Sequence, residues 1–270
     1  MIIDGKKIAA KILEGAKSAI TKSYRELALV LVGGDAGSLK FLELKQKAAG
    51  KVGIDAKLYK YSEEITTEKL VEEITFLAES EDVGGIIVEL PLPSHIISER
   101  VLDAVPVSKD PDMLSGAAQN LFYSGKSEIM PPSIRAVQEI IENIGFNVRE
   151  KNCAVFGQGL LVGKPVAHWL SFIGAKVSVI DEFTPEPRKV SSKADLIVSG
   201  VGKPGLITAD MVKDGAVVID FGYAKAGEEM KGDVDYDNVS KKASFITPVP
   251  GGVGPIVVAA VIENTVKLIK

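Results

Sequence analysis

Apolar residues recur along the chain in two rhythms, short continuous runs and longer stretches of helical spacing, and the two alternate. Ile8, Ile12, Ala16 and Ala19 recur at helical spacing after Asp4, which predicts a capped helix over about 5–22. Residues 27–32, LALVLV, form an unbroken apolar strand of the kind buried on both faces of a parallel sheet, and the run ends at Gly33-Gly34. Ser38 then offers an N-cap to a helix over 39–52 that Gly53 closes, followed by a strand at 56–61. An amphipathic helix over 67–79 and a third strand over 85–90, stopped by Pro91-Leu92-Pro93, complete the first half. Strand, helix, strand, helix, strand predicts parallel pairing with right-handed crossovers, and places functional residues at the strand C-termini.

Residues 105–132 are rich in Pro, Gly, Ser and Asp and exceed most connections in compact domains, so they read as a binding loop at a domain seam. A helix over 133–143 follows. Residues 152–169 then read as a buried strand, a glycine-rich turn with Gly157, Gly159 and Gly163, and a helix opening. Free amides at that helix start, with the positive end of the helix dipole, suit a dinucleotide pyrophosphate. The spacing is one residue longer than the usual fingerprint, so a tight strand-to-helix turn without a ligand stays open. Strands at 176–180, 196–199, 216–219 and 244–246, a helix near 209–213 and a last helix after a Pro-Gly run fill the second half. The expected fold is α/β in two domains, the second of Rossmann type.

Composition narrows the function classes. A chain of 270 residues, 46% hydrophobic and 25% charged, can bury the core of one large domain or those of two modest ones. Its net charge of −4 supplies no basic excess for nucleic acid or anionic lipid. No run approaches the roughly 20 apolar residues of a membrane span, and the start lacks the long apolar core of a signal peptide, so a cytoplasmic protein is expected. The lone Cys153 sits in an apolar strand and reads as an inert buried thiol. His95 and His168 stand far apart without a ligand cluster, which argues against a metal site.

Phe41, Lys45 and Ala48 or Ala49 share one helix face, so Lys45 is either a proton-transfer group in a cleft or a surface lysine on a half-buried helix. Glu89, at the end of a parallel strand, is either its partner or a solvated strand-end carboxylate. Asp110 and Asp112 are candidates for the amine edge of a heterocycle, against ordinary turn chemistry. Gly251, Gly252 and Gly254, between Pro250 and Pro255 at a helix start, either let amides approach a planar ligand or form a hinge.

Taken together these residues resemble the bifunctional methylenetetrahydrofolate dehydrogenase/methenyltetrahydrofolate cyclohydrolase family over almost the whole chain. The likeness is carried by Asp4-Gly5-Lys6, Val32-Gly33, Ser38, Lys45, Lys47-Ala48-Ala49, Gly53-Ile54, the 88–93 strand and turn, Lys109-Asp110 with Asp112, Gly157, Val162-Gly163, Pro165, Gly232-Asp233-Val234 and the 246–255 stretch ITPVPGGVGP. The resemblance implies a three-layer folate domain of residues 1–137 plus 251–270, to which the C-terminal helix returns, and a dinucleotide domain of 138–250. It implies a homodimer working in purine-linked one-carbon metabolism. It makes Lys45, Glu89 and Asp112 catalytic, and gives Phe41, Ser38, Pro91, Pro250, Gly251, Gly252, Gly254 and Pro255 to the folate. Gly157, Gln158, Gly159, Leu160, Val162, Gly163, Asp181 and Gly200 fall to the cofactor.

The chain departs from the family pattern at several of these places. Phe41 stands for a tyrosine and Glu89 for a glutamine, and a glutamate beside Lys45 holds that lysine protonated, which puts the hydrolytic step in question. Pro132-Ser133-Ile134 replaces Cys-Thr-Pro, and Met113 a glycine. Gln158 and Gly159 replace the arginine and serine that favour a 2′-phosphate, while Asp181, roughly 20 residues beyond the glycine loop, suits a ribose hydroxyl. Arg188, Lys189 and Lys193 are cations that would neutralise a phosphate, so NADP is expected on the family pattern and NAD stands as the alternative. A dehydrogenase without cyclohydrolase activity, a non-catalytic folate- or dinucleotide-binding homologue and another Rossmann oxidoreductase, such as a shikimate or amino-acid dehydrogenase, remain rivals.

Overall fold

The computed structural model describes residues 1–20, 25–34, 36–227 and 229–269, so the end of the helix expected to reach residue 22 lies outside the described residues. The chain divides into two compact units, Ala10–Pro132 with Val258–Lys270, and Met1–Ala9 with Ser133–Val257.

The first helix, α1 (Gly5–Ala19), opens where Asp4 Oδ1 accepts the Lys7 amide at 3.1 Å. The strands β1 (Glu26–Val32), β2 (Ala56–Tyr61) and β3 (Val83–Val88) pair in parallel in the order β2-β1-β3, with α2 (Ala36–Val52) and α3 (Thr67–Glu79) as crossovers. β3 and nearly all of β1 are buried, whereas β2, on the edge, has only half-buried and exposed residues. Leu27, Leu29, Leu70, Ile74, Ile86 and Ile87 fill the core between sheet and helices. Ser38 lies inside α2, which starts earlier than expected, so it is not the cap. The region read as a loop contains α4 (Ser98–Asp103), a single 3-10 turn at Val107–Lys109 and α5 (Gly116–Tyr123), whose first turn is capped by the Ser115 hydroxyl accepting the Ala118 amide. Turn-forming residues on both sides hide this short helix from a reading of composition.

The other unit opens with α6 (Pro132–Asn143), continues through β4 (Asn152–Phe156), α7 (Gly163–Phe172), β5 (Lys176–Ile180), α8 (Pro187–Ser191), β6 (Leu196–Ser199) and β7 (Val217–Asp220), and, with β10 (Phe245–Ile246), forms a parallel sheet ordered β10-β7-β6-β4-β5. Between β7 and β10 come the antiparallel pair β8 (Ala224–Ala226) and β9 (Glu229–Lys231), which the pattern did not announce, and α9 (Tyr236–Val239). The helix expected near 209–213 is one 3-10 turn, Ala209–Met211. Residues 1–9, 133–137 and 251–257, expected with the first domain, group instead with this sheet. For the first residues the reason is main-chain pairing: Ile3 donates to the Ile246 carbonyl at 3.0 Å and Ile246 to that of Met1 at 3.1 Å. The chain passes from one unit to the other within α1 and again within α10 (Val253–Ile269).

Candidate active site

Three elements of the first unit bring the predicted acid–base residues together. Lys45 projects from α2 on the face it shares with half-buried Phe41 and buried Ala48 and Ala49. Glu89 follows β3 directly, and its amide extends the sheet by donating to the Val30 carbonyl at 2.9 Å. Lys45 Nζ donates to Glu89 Oε2 at 2.7 Å, with both residues 9% exposed. Burial by itself would lower the Lys45 pKa, but the charges of Asp112 and Glu89, with the Glu89 hydrogen bond, outweigh it and hold the ammonium above its ordinary range. Burial raises the Asp112 carboxyl, against the pull of Lys45. Lys45 is therefore neither a surface lysine nor a neutral base at rest.

Asp110 and Asp112 have different tasks. Buried Asp110 accepts the amides of Leu114 at 3.2 Å and Ser115 at 2.9 Å, the turn role, and leaves Asp112 to face Lys45 electrostatically. Met113 between them and the helix adopts φ +57° while 3% exposed, packed with Ala118 and Ile129. The backbone thus keeps a left-handed conformation that favours glycine, at a strain of about 1 kcal/mol, and burial of the methionine offsets it.

The Pro250–Pro255 loop belongs to the other unit. Gly251 has φ +99°, and a Cβ on Gly252 would meet the Pro248 carbonyl oxygen at 2.4 Å. A Cβ on Gly5 would overlap the Gly252 carbonyl oxygen at 1.6 Å, so the start of α1 is laid against this loop. Two of its glycines are thereby accounted for, Gly251 by its backbone conformation and Gly252 by backbone packing. Gly254 and Pro255 lie half-buried in the first turn of α10, and Pro250 is exposed.

The dinucleotide candidates converge at the C-terminal ends of β4, β5 and β6. Gly157 turns the chain with φ +92°, and its amide donates to the Ile180 carbonyl at 2.8 Å, next to Asp181. A Cβ on Gly163 would stand 2.1 Å from the Gly157 carbonyl oxygen, and one on Gly200 would stand 2.8 Å from the Val162 side chain. Open space lies beside Gly159, and Val162, which precedes α7, provides no side-chain cap for the helix amides. Exposed Gln158, half-buried Leu160 and Val162 complete this rim. Tight glycine packing at a helix start fits a pyrophosphate, and there the Lys164 amide already donates to the Gly159 carbonyl at 3.1 Å. Gln158 Nε2 donates to Asp181 Oδ2 at 2.7 Å. Cys153, on buried β4, has its thiol pushed up to about 12 by burial and then by Asp195, and takes no part.

A second pair of carboxylates escaped the sequence reading. Asp233 accepts the Ser199 hydroxyl at 2.6 Å and the Val201 and Lys203 amides at 2.7 Å each, which fixes the loop carrying Gly200. Asp220 accepts the amides of Gly222 at 2.8 Å, Asp233 at 3.1 Å and Val234 at 3.0 Å. The only signal was the Gly232-Asp233-Val234 triplet, which carried the resemblance without a role.

Comparisons with known proteins agree on one family. The family model described as tetrahydrofolate dehydrogenase/cyclohydrolase, catalytic domain, matches residues 3–112, and that described as the NAD(P)-binding domain matches 131–270. The chain is 39% identical to the bifunctional protein FolD of a Nitratiruptor species, over 100% of this chain and 98% of that protein. Its structure is similar to that of the bifunctional FolD dehydrogenase/cyclohydrolase from Campylobacter jejuni, with a TM-score of 0.94, 35% identity and coverage of 100% and 98%. It is equally similar to the Trypanosoma brucei methylenetetrahydrofolate dehydrogenase-cyclohydrolase complexed with NADP and an inhibitor, with a TM-score of 0.94, 30% identity and coverage of 100% and 97%.

Proposed function

The chain belongs to the tetrahydrofolate dehydrogenase/cyclohydrolase family, and from that premise we propose that it oxidises 5,10-methylenetetrahydrofolate with NAD(P)+ and hydrolyses the methenyl product to 10-formyltetrahydrofolate. The observation that carries the reading is the buried Lys45–Glu89 ion pair at 2.7 Å within the charge field of Asp112. The dinucleotide, when bound, accepts the hydride. What the protein adds is a site able to hold a cation and to move protons beside it.

Phe41, one helical turn before Lys45, offers a ring face to the pterin but no hydroxyl, and Asp112 is the family's match for the carboxylate that holds the pterin amine edge. By the family resemblance, Ser38 and Pro91 are assigned to the remainder of the folate. Hydrolysis requires that water add to the methenyl carbon and lose a proton, that the carbon–N5 bond break as N5 gains one, and that the remaining hydroxyl lose its proton to solvent to leave the neutral formyl group. A protonated Lys45 is a donor, so we assign it the delivery of the proton to N5. Glu89 is the matching acceptor for the proton of the attacking water. The pair at rest thus holds acid and base in adjacent groups, which answers the doubt that a glutamate raises about a lysine acting as base.

The test is a Lys45→Met variant assayed for methenyl absorbance. Methenyl hydrolysis should fall by about 10²- to 10⁴-fold, the worth of positioned acid–base catalysis, while dinucleotide binding stays unchanged. Unaltered hydrolysis would remove Lys45 from the mechanism. The family resemblance extends the reading to a cytoplasmic homodimer that supplies one-carbon units for purine biosynthesis; no helix among the described residues is long and apolar enough to cross a membrane.

A further inference from the structure

We infer that the corner after β5 selects NAD over NADP, with Asp181 receiving a ribose hydroxyl and excluding a 2′-phosphate. This rests on the dehydrogenase reading above and narrows its cofactor. In a fold of this kind the carboxylate at the end of the second strand, beyond the glycine loop, meets the adenosine ribose. Asp181 occupies that position, one residue past β5 and beside the Gly157 turn.

Its hydrogen bonds leave room for one kind of ligand. Oδ1 accepts the Phe183 amide at 3.1 Å and the Thr184 hydroxyl at 2.8 Å, and Oδ2 accepts Gln158 Nε2 at 2.7 Å. A carboxylate has about four acceptor directions, so one on Oδ2 remains for a hydroxyl donor. A phosphate ester has only acceptor oxygens and negative charge to present there. The hydrogen bonds from Thr184 and Gln158 also hold the Asp181 carboxyl below its usual range, so it stays charged at neutral pH.

The neighbouring cations compensate only in part. Arg188 is paired with Asp210 at 3.1 Å and Lys189 with Glu186 at 2.5 Å, exposed pairs in which a carboxylate offsets part of each positive charge. Exposed Lys193 forms no ion pair among the described residues, and of these three cations it alone would meet a phosphate with its charge not offset. Gln158, where a cation would be needed, is neutral and turned onto Asp181. Three features of independent origin, the carboxylate, the neutral amide and the partly offset cations, thus point to the same cofactor.

Isothermal titration of the full chain with NAD+ and with NADP+ reads the selectivity without turnover. NAD+ should bind at least tenfold more tightly. Asp181→Asn, with folding checked by circular dichroism, should narrow that ratio at least tenfold by strengthening NADP+ binding. Equal or tighter NADP+ binding in the unaltered protein would overturn the inference while leaving the dehydrogenase reading standing. A ratio that moves with Lys193→Ala but not with Asp181→Asn would overturn it as well. If neither dinucleotide binds, the dehydrogenase reading itself falls, and the inference with it.

Discussion

A lysine beside a glutamate is a different reagent from a lysine beside a glutamine, because a carboxylate stabilises the ammonium and an amide only accepts its hydrogen bond. Burial would shed the Lys45 proton; Asp112 and Glu89 together keep it. Glu89→Gln removes one of the two carboxylates and should therefore lower the Lys45 pKa, although Asp112 keeps the lysine from being left an orphan buried charge, which would cost about 3–5 kcal/mol. Two consequences separate in a pH–rate profile of methenyl hydrolysis. The rate falls because the proposed base is gone, and the alkaline limb, where Lys45 ceases to be an acid, moves to lower pH. A limb that stays in place would uncouple the pair. The stability side has the sign of a raised lysine: the ion pair contributes fully below the ordinary lysine pKa and is lost only as pH rises through the raised one. Spacing alone put Phe41, Lys45 and Ala49 on one face of α2, but it could not decide between a partnered and a solvated Glu89. That choice depends on the end of β3 lying beside α2, a tertiary fact. Met113 is the converse case, since its sequence position flagged a departure and only the backbone showed that the glycine-like conformation persists.

At the scale of elements, the ends of β6 and β7 are held by two buried carboxylates with amide and hydroxyl donors around them. Their closeness demands glycine on both sides: a Cβ on Gly222 would stand 2.4 Å from Asp233 Oδ1, and one on Gly232 would stand 2.1 Å from Asp220 Oδ2. Burial, with the Asp233 charge adding to it and three amide bonds opposing, pushes the Asp220 carboxyl up to about 6. A carboxyl raised by folding binds its proton more tightly in the native state, so its contribution to stability is present below about pH 4 and is lost as pH rises through about 6. A shift of about two units corresponds to about 3 kcal/mol. Denaturant unfolding of the unaltered chain and of Asp220→Asn at pH 4 and pH 7 should show the difference between them changing by that order. A direct carboxyl NMR titration of the unaltered protein that gave an ordinary pKa would refute it, even if the variant failed to fold. The central strands were legible as apolar runs, because a parallel sheet buried on both faces leaves no other pattern, whereas the edge strands and β8–β9 were not. The carboxylate cluster was not legible, because residues 199–203 and 220–222 meet only through the pairing of β6 with β7, and 232–234 join them through a main-chain bridge to Ile207.

For the molecule as a whole, alternation of strands and helices was enough to announce two α/β units, whereas the partition of the chain between them was not. The first residues read as the approach to α1, yet Met1 to Ile3 lie alongside β10 and Ile3 is 3% exposed. Pairing between positions more than 240 apart, as for Met1 and Ser244, has no local signature. It makes the start of the chain part of the unit that holds the dinucleotide fingerprint, and this has a measurable consequence. Ile3→Ala removes a buried side chain and should cost about 2–5 kcal/mol, which lowers the midpoint of thermal unfolding by several degrees. The single tryptophan, Trp169, is buried in α7 of the same unit, so its fluorescence reports the transition where the loss occurs. The expected result is an earlier Trp169 transition in Ile3→Ala, partly restored by a saturating dinucleotide, since a ligand that binds the native unit stabilises it by mass action. A Trp169 transition that did not move would mean that the first three residues are not held in that sheet.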